Sequence, residues 1–145
     1  MRSLLGINDT FSPDFIVVGI QETIEAKIGF KFLTHKSQWP NAVDLELQPY
    51  GYAKIGLVQN KAMDLMAYVK TQHANKLEQF ESMYKSNYLG IKGGLSLRFD
   101  LNWKKIAFTN SHLPAGEEEN LEREKAYNEI RDKSFDNSGF LSNQE

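Results

Sequence analysis

"GGLSLRFDLNWKKIAFTNSHL", residues 93–113, decides how this chain is read. Leu95, Leu97, Phe99 and Leu101 alternate with Ser96, Arg98 and Asp100. Successive side chains of a strand point to opposite faces, so this period predicts a strand with one buried face. "DLNWKK" (100–105) supplies the turn of a hairpin. The return strand carries Ile106 and Phe108 on one face, and Asn110 and His112 continue that parity. A core-facing row therefore runs straight into two polar side chains at the strand's end.

Downstream, "PAG" (114–116) turns the chain, and Glu117, Glu118 and Glu119 lead into a helix whose N-terminal dipole favours carboxylates. Leu121, Tyr127 and Ile130 are predicted to form the helix's inner side, with Arg123 on the face of Tyr127. The tail "DNSGFLSNQE" (136–145) reads as turn-rich and loose. Upstream, "PDFIVVGIQE" (13–22) is apolar on both parities: Ile16, Val18 and Ile20 on one face, Phe15 and Val17 on the other. That is the pattern of a central strand covered on both sides. Residues 23–50 read as a helical or irregular crossover, broken at Pro40. "GYAKIGLVQ" (51–59) and "AMDLMAYVK" (62–70) are predicted strands joined through Asn60 and Lys61. "ANKLEQF" (74–80) reads as a short helical turn and "ESMYKSN" (81–87) as another strand. The result is an α/β layered protein whose sheet is mostly antiparallel after residue 50.

A chain of 145 residues points to one domain, and 41% hydrophobic with 25% charged residues is a globular composition. No segment reaches the ~18 apolar residues of a membrane helix, and the apolar run in "MRSLLGIND" is too short for a signal peptide. With no Cys there is no disulfide, thiolate zinc site or thiol nucleophile, which fits a cytoplasmic protein. A net charge of -2 argues against a general nucleic-acid binder.

Chemistry-capable groups collect at strand ends. Glu22 follows the first apolar strand, and a carboxylate held there suits a hard cation such as Mg²⁺. His112 ends the hairpin's return strand, where it can donate to a phosphoryl oxygen or carry a proton. "YLGIKGG" (88–94) sets Lys92, a point positive charge suited to phosphate, among glycines that let backbone approach a ligand; its spacing is not that of a Walker loop. Taken singly, each has a plain structural reading. Glu22 is a soluble strand terminus, His112 a satisfied structural histidine and Gly93-Gly94 a bulge. Arg123 with Glu119 is an exposed helix pair worth ~0.3–0.5 kcal/mol. His35 and His73 lie in polar stretches without period, and Tyr84 and Tyr88 read as packing.

Four blocks in order change the balance: "PDFIVVGIQE", "YLGIKGGLSLRF", "IAFTNSHLPAG" and "LEREKAYNEI" (121–130). Together they resemble the first half of the inositol polyphosphate 5-phosphatase catalytic domain, of the endonuclease/exonuclease/phosphatase superfamily. The resemblance implies a DNase I-like layered α/β sandwich, present as a partial domain over 1–145. It implies Glu22 as a Mg²⁺ ligand, Asn110 and His112 as catalytic, and Lys92 and Arg123 as phosphate-binding. Ile91 and Glu124 stand where that family has Asn, and Ala126 where it has an acidic residue. Further blocks of the family pattern, its opening strand and its C-terminal half among them, find no match, so little activity is expected of the chain alone. The resemblance also implies an inositol phosphate or phosphoinositide headgroup as partner, peripheral membrane contact at the cytosolic face, and no nucleic acid. One crossover and one helix cover one side of such a sheet, so the remaining half of the domain or self-association is expected to cover the other. The alternatives are a non-catalytic fragment or pseudoenzyme that only binds, and a nuclease of the same superfamily.

Overall fold

The computed structural model describes residues 4–7, 11–23, 37–86, 91–101 and 104–134. Three antiparallel strands build one sheet: β1 (Phe15–Gln21), β2 (Tyr52–Gln59) and β3 (Met63–Lys70), in the order β1-β3-β2. Three more build a second: β4 (Leu77–Ser86), β5 (Gly93–Leu101) and β6 (Lys104–His112), in the order β4-β5-β6. Helix α1 (Trp39–Leu47) precedes β2, and α2 (Asn120–Lys133) follows β6. Short 3₁₀ turns lie at Gln48–Tyr50 and Thr71–Lys76.

Alternation explains how the sheets stack. Leu95, Leu97 and Phe99 of β5 meet Val58, Met63, Leu65 and Ala67 of the first sheet in one core, with Ile106 and Phe108 of β6 packed against it. Phe99 stacks on Phe15 with ring centroids 5.1 Å apart and meets Phe108 at 6.0 Å, so β1 and β6 are tied through β5. The other face of the first sheet packs on α1: Ile16, Tyr52, Met66 and Tyr68 form a second core with Val43 and Leu47. The Tyr68 hydroxyl donates to Asp44 Oδ1 at 2.7 Å, and Lys54 Nζ meets Asp44 Oδ2 at 2.6 Å, so one α1 carboxylate gathers β2 and β3. Burial, and then the Asp44 carboxylate beside it, push the Tyr68 hydroxyl well above the usual tyrosine range.

Several expectations are corrected. The strand at 13–22 was read as central; β1 is an outer strand of its sheet among the described residues. Both its faces are covered, one by the second sheet and one by α1, and that is what its double-parity pattern records. Pro40 does not break a helix but sits in the first turn of α1, where its missing N–H costs nothing. "ANKLEQF" is not a helical turn throughout, because β4 begins at Leu77. Leu121 and Tyr127 are 79% and 57% exposed, and only Ile130 of the expected inner side is buried. Helix α2 closes on the outer face of β5 at its C-terminal end, where a Cβ on Gly94 would lie 2.6 Å from Ile130 Cγ2. Ser134 Oγ, just past the helix, meets Ser96 Oγ at 2.9 Å. The expectation of one wholly uncovered sheet face also fails, because the two inner faces bury each other and the helices flank opposite outer faces. A groove of about 540 Å³ remains between β1 and α1, lined by Leu5, Ile16, Val18, Trp39 and Val43 among others. Most of the crossover, the hairpin turn at 102–103 and the tail lie outside the described residues.

Candidate functional site at one rim of the sandwich

Register brings distant segments to one end of the sandwich. In the β5–β6 hairpin Gly93 pairs with His112. Lys92, one residue before Gly93, is thereby carried to the His112 end of β6. In the first sheet Gln21 pairs with Met63, and Thr23 N donates to Ala62 O at 3.1 Å, which fixes where β1 ends.

Glu22 needs a further device. Even-numbered residues of β1, Ile16 among them, face α1, so a continued strand would aim Glu22 away from β6. Glu22 instead has φ 54°, in the left-handed region. A non-glycine residue held there costs on the order of 1–2 kcal/mol, and such strain collects at functional sites. The turn brings Glu22 Oε1 to 3.4 Å from His112 Nε2. The Glu22 side chain is 76% exposed and that of His112 only 11%, so an open carboxylate faces a sheltered ring.

Lys92 Nζ lies 2.6 Å from the same His112 Nε2. An ammonium can only donate, so Nε2 is the acceptor of this contact. Nδ1 is buried and has no hydrogen-bond partner among the described residues. The cluster thus brings an ammonium and a carboxylate to one ring nitrogen at the rim.

Asn110 sits beneath it, buried. Its Nδ2 donates to Ile20 O at 2.9 Å and to Asp64 O at 3.0 Å, both in the opposite sheet. Its Oδ1 accepts from Gln21 Nε2 at 3.2 Å, and that nitrogen also donates to Ser111 O at 2.6 Å. Arg123 is engaged elsewhere: its guanidinium donates to Pro114 O, Gly116 O and Asn120 Oδ1, holding the loop that follows β6. Of the five residues singled out from the sequence, three meet directly, Asn110 supports them from below, and Arg123 shapes the loop. Gln21 was noted beside Glu22 at the strand end but given no role, and Asp64 was missed. Gln21 adjoins Glu22 in the "QE" pair, which is its only signal in the sequence, and the Asp64 backbone carbonyl leaves none. Among the described residues no three His, Asp or Glu side chains converge on one point, and no helix is long and apolar enough to cross a membrane.

Comparison with known proteins bears on the chain as a whole. The profile of endonuclease/exonuclease/phosphatase family 2 matches residues 1–143. The type II inositol 1,4,5-trisphosphate 5-phosphatase of Mus musculus is 33% identical over 130 residues, 85% of this chain and 13% of that protein. The polyphosphatidylinositol phosphatase INP53 of Saccharomyces cerevisiae is 32% identical over 136 residues, 88% of this chain and 12% of that protein. The chain therefore spans about an eighth of the length of these curated relatives. Among solved structures, the inositol polyphosphate 5-phosphatase domain of a synaptojanin, in complex with inositol (1,4)-bisphosphate and a calcium ion, superposes with a TM-score of 0.77 at 26% identity. The match covers 90% of this chain and 40% of that one. A Cimex nitrophorin, crystallised as its ferrous NO complex, superposes with a TM-score of 0.67 at 27% identity, over 90% of this chain and 47% of that one.

Proposed function

We propose that this chain, which belongs to endonuclease/exonuclease/phosphatase family 2, carries the phosphate-facing rim of a hydrolase that removes the 5-phosphate of inositol polyphosphates or phosphoinositides. The observation that carries the reading is the contact of Lys92 and Glu22 with one His112 nitrogen at the strand ends. Both curated relatives described above are named as phosphatases of such compounds.

A divalent cation is part of the reading, since the synaptojanin domain was solved with calcium. Glu22 is an exposed oxygen donor at the rim, and it would be the single carboxylate in the set. Mg²⁺ commonly takes one or two protein carboxylates and fills its shell with water and phosphate oxygens, so the donor set fits it. When bound, the ion would neutralise phosphate charge and polarise the scissile ester.

The chain's own residues do the rest. Lys92 donates to a phosphoryl oxygen, a stronger acceptor than the imidazole it touches now. That frees His112 Nε2 to face the same group, where a protonated ring would be a second donor. Both stabilise charge that grows as water attacks phosphorus and the ester oxygen departs. Arg123 keeps the loop after His112 in place. For a lipid substrate the rim would work at the cytosolic membrane face; a soluble inositol phosphate makes no such demand. His112 is held by Lys92, and the other carboxylate–histidine pair among the described residues, Asp14 with His73, lies at the far end of β1 from Glu22, so neither is placed to activate the attacking water. Turnover by the chain alone is therefore expected well below the ordinary 1–10³ s⁻¹.

The test is binding and hydrolysis of inositol 1,4,5-trisphosphate with Mg²⁺, followed by calorimetry and phosphate release. Saturable binding that weakens in Lys92→Ala supports the reading, and no binding at millimolar ligand refutes it. Binding with no release at all favours the second reading, a non-catalytic binding module. The nitrophorin's superposition motivates that alternative, since that protein is named for a different ligand.

A further inference from the structure

We infer that Asn110 is a positioning residue: its amide clasps the two sheets together so that Glu22 and His112 meet. The inference rests on the rim being the functional site. It gives Asn110 a task other than touching phosphate.

A phosphate needs donors, and Asn110 has none to spare. An Asn amide offers two N–H groups, and both are spent on Ile20 O and Asp64 O. Those carbonyls belong to β1 and β3, which pair at Ile20 and Asp64. One side chain from β6 therefore bridges two neighbouring strands of the other sheet, two residues before Glu22 on β1 and two before His112 on β6. The amide oxygen accepts from Gln21, whose nitrogen also reaches Ser111 O. The residues just before Glu22 and just before His112 are thus joined as well.

Gly19 supplies the complementary space. A Cβ there would lie 3.1 Å from Asn110 Cγ and 3.3 Å from Nδ2. That is tight enough to displace the amide, and the amide is fixed by bonds on both sides. The glycine and the asparagine are therefore one device. Ile20 and Asp64 already face each other in the β1–β3 ladder, so the amide adds a further bond at each carbonyl and ties β6 to both strands at once.

The chain has no Cys, so labels can be placed at will. Nitroxides on Glu22→Cys and His112→Cys report the separation of the two strand ends through dipolar broadening of the spectrum. Strong broadening is expected in this pair. It should be lost in Asn110→Ala, and also in Asn110→Asp, which keeps the shape but has no donors. Gly19→Ala, remote from the rim, should diminish it, and Gln21→Ala should do so in part. Cooperative thermal unfolding monitored alongside separates lost positioning from lost fold. Full broadening in a folded Asn110→Asp or Asn110→Ala variant overturns the inference. Should neither fold, unchanged broadening in both Gly19→Ala and Gln21→Ala overturns it equally. No phosphate or cation enters the measurement, so failure of the proposed activity and failure of the clasp are read separately.

Discussion

Lys92 Nζ and His112 Nε2 are 2.6 Å apart because the hairpin pairs Gly93 with His112. The ammonium therefore approaches from the neighbouring strand. Lys92→Met keeps most of the unbranched side chain and removes the charge. A charge-assisted hydrogen bond contributes ~1.5–3 kcal/mol, so affinity for inorganic phosphate should fall roughly 10- to 100-fold. Titration of the His112 ring resonances with phosphate measures it. Unchanged affinity would remove Lys92 from the site.

Glu22 separates backbone strain from chemistry. Glu22→Gln keeps the left-handed residue and loses the charge, so stability should stay within about 0.5 kcal/mol of the parent while Mg²⁺ or Ca²⁺ affinity drops. Glu22→Gly should lose the cation as fully and gain on the order of 1 kcal/mol from relieved strain. Urea unfolding with and without cation checks both. A destabilised Glu22→Gly would show that φ 54° carries no strain.

Two glycines should respond differently to one added methyl. A Cβ on Gly56 would lie 2.2 Å from Phe80 Cζ, but Phe80 is partly exposed and its ring can swing outward. A Cβ on Gly94 meets three atoms of Ile130, which is branched and buried. Gly94→Ala should cost ~1–3 kcal/mol as an overpacked site, and Gly56→Ala less. The reverse order in thermal melts would mean that α2 is free to shift.

Tyr68 makes the fold sensitive to alkali. Its hydroxyl is held above the ordinary tyrosine value of 10.0 by burial, then by Asp44. A raised value in the folded state means that its stabilising contribution is complete below about pH 10 and declines as pH rises past it. Tyr68→Phe should lose ~1 kcal/mol with the hydrogen bond and show a smaller further decline between about pH 9 and pH 11. Equal alkaline slopes in parent and variant would contradict this.

What could be read from residues alone follows from the range of the forces involved. The β5–β6 hairpin was legible because alternation and turn lie within about twenty residues, and the parity of Asn110 and His112 came with it. The start of β4 was not. Gln79 has φ 50° and the register slips between Glu78 and Glu81, so a bulge hides the alternation there. Leu121 and Tyr127 look like a helix's inner side, yet α2 touches the sheet near Ile130 and leaves them in solvent. The bend at Glu22 and the bonds of Asn110 leave no local pattern. Asn110 meets carbonyls 90 and 46 residues away, and nothing in the adjoining sequence announces partners at that range.

The registers also set an order of events as the chain folds. Leu101 pairs with Lys104, whereas Phe15 pairs with Val69. Short loops close at less entropic cost than long ones, and local pairings form first. The β5–β6 and β2–β3 hairpins should thus form first, with β1 docking onto a scaffold already made. Leu97→Ala should then slow folding, while Val17→Ala should chiefly hasten unfolding. Stopped-flow rates for the two variants would show this, and a slowed folding arm for Val17→Ala would reverse the order. Since β1 carries Glu22 and β6 carries His112, the rim becomes whole only at the final docking step, and a fluctuation that lifts β1 dismantles it before the rest of the protein has moved.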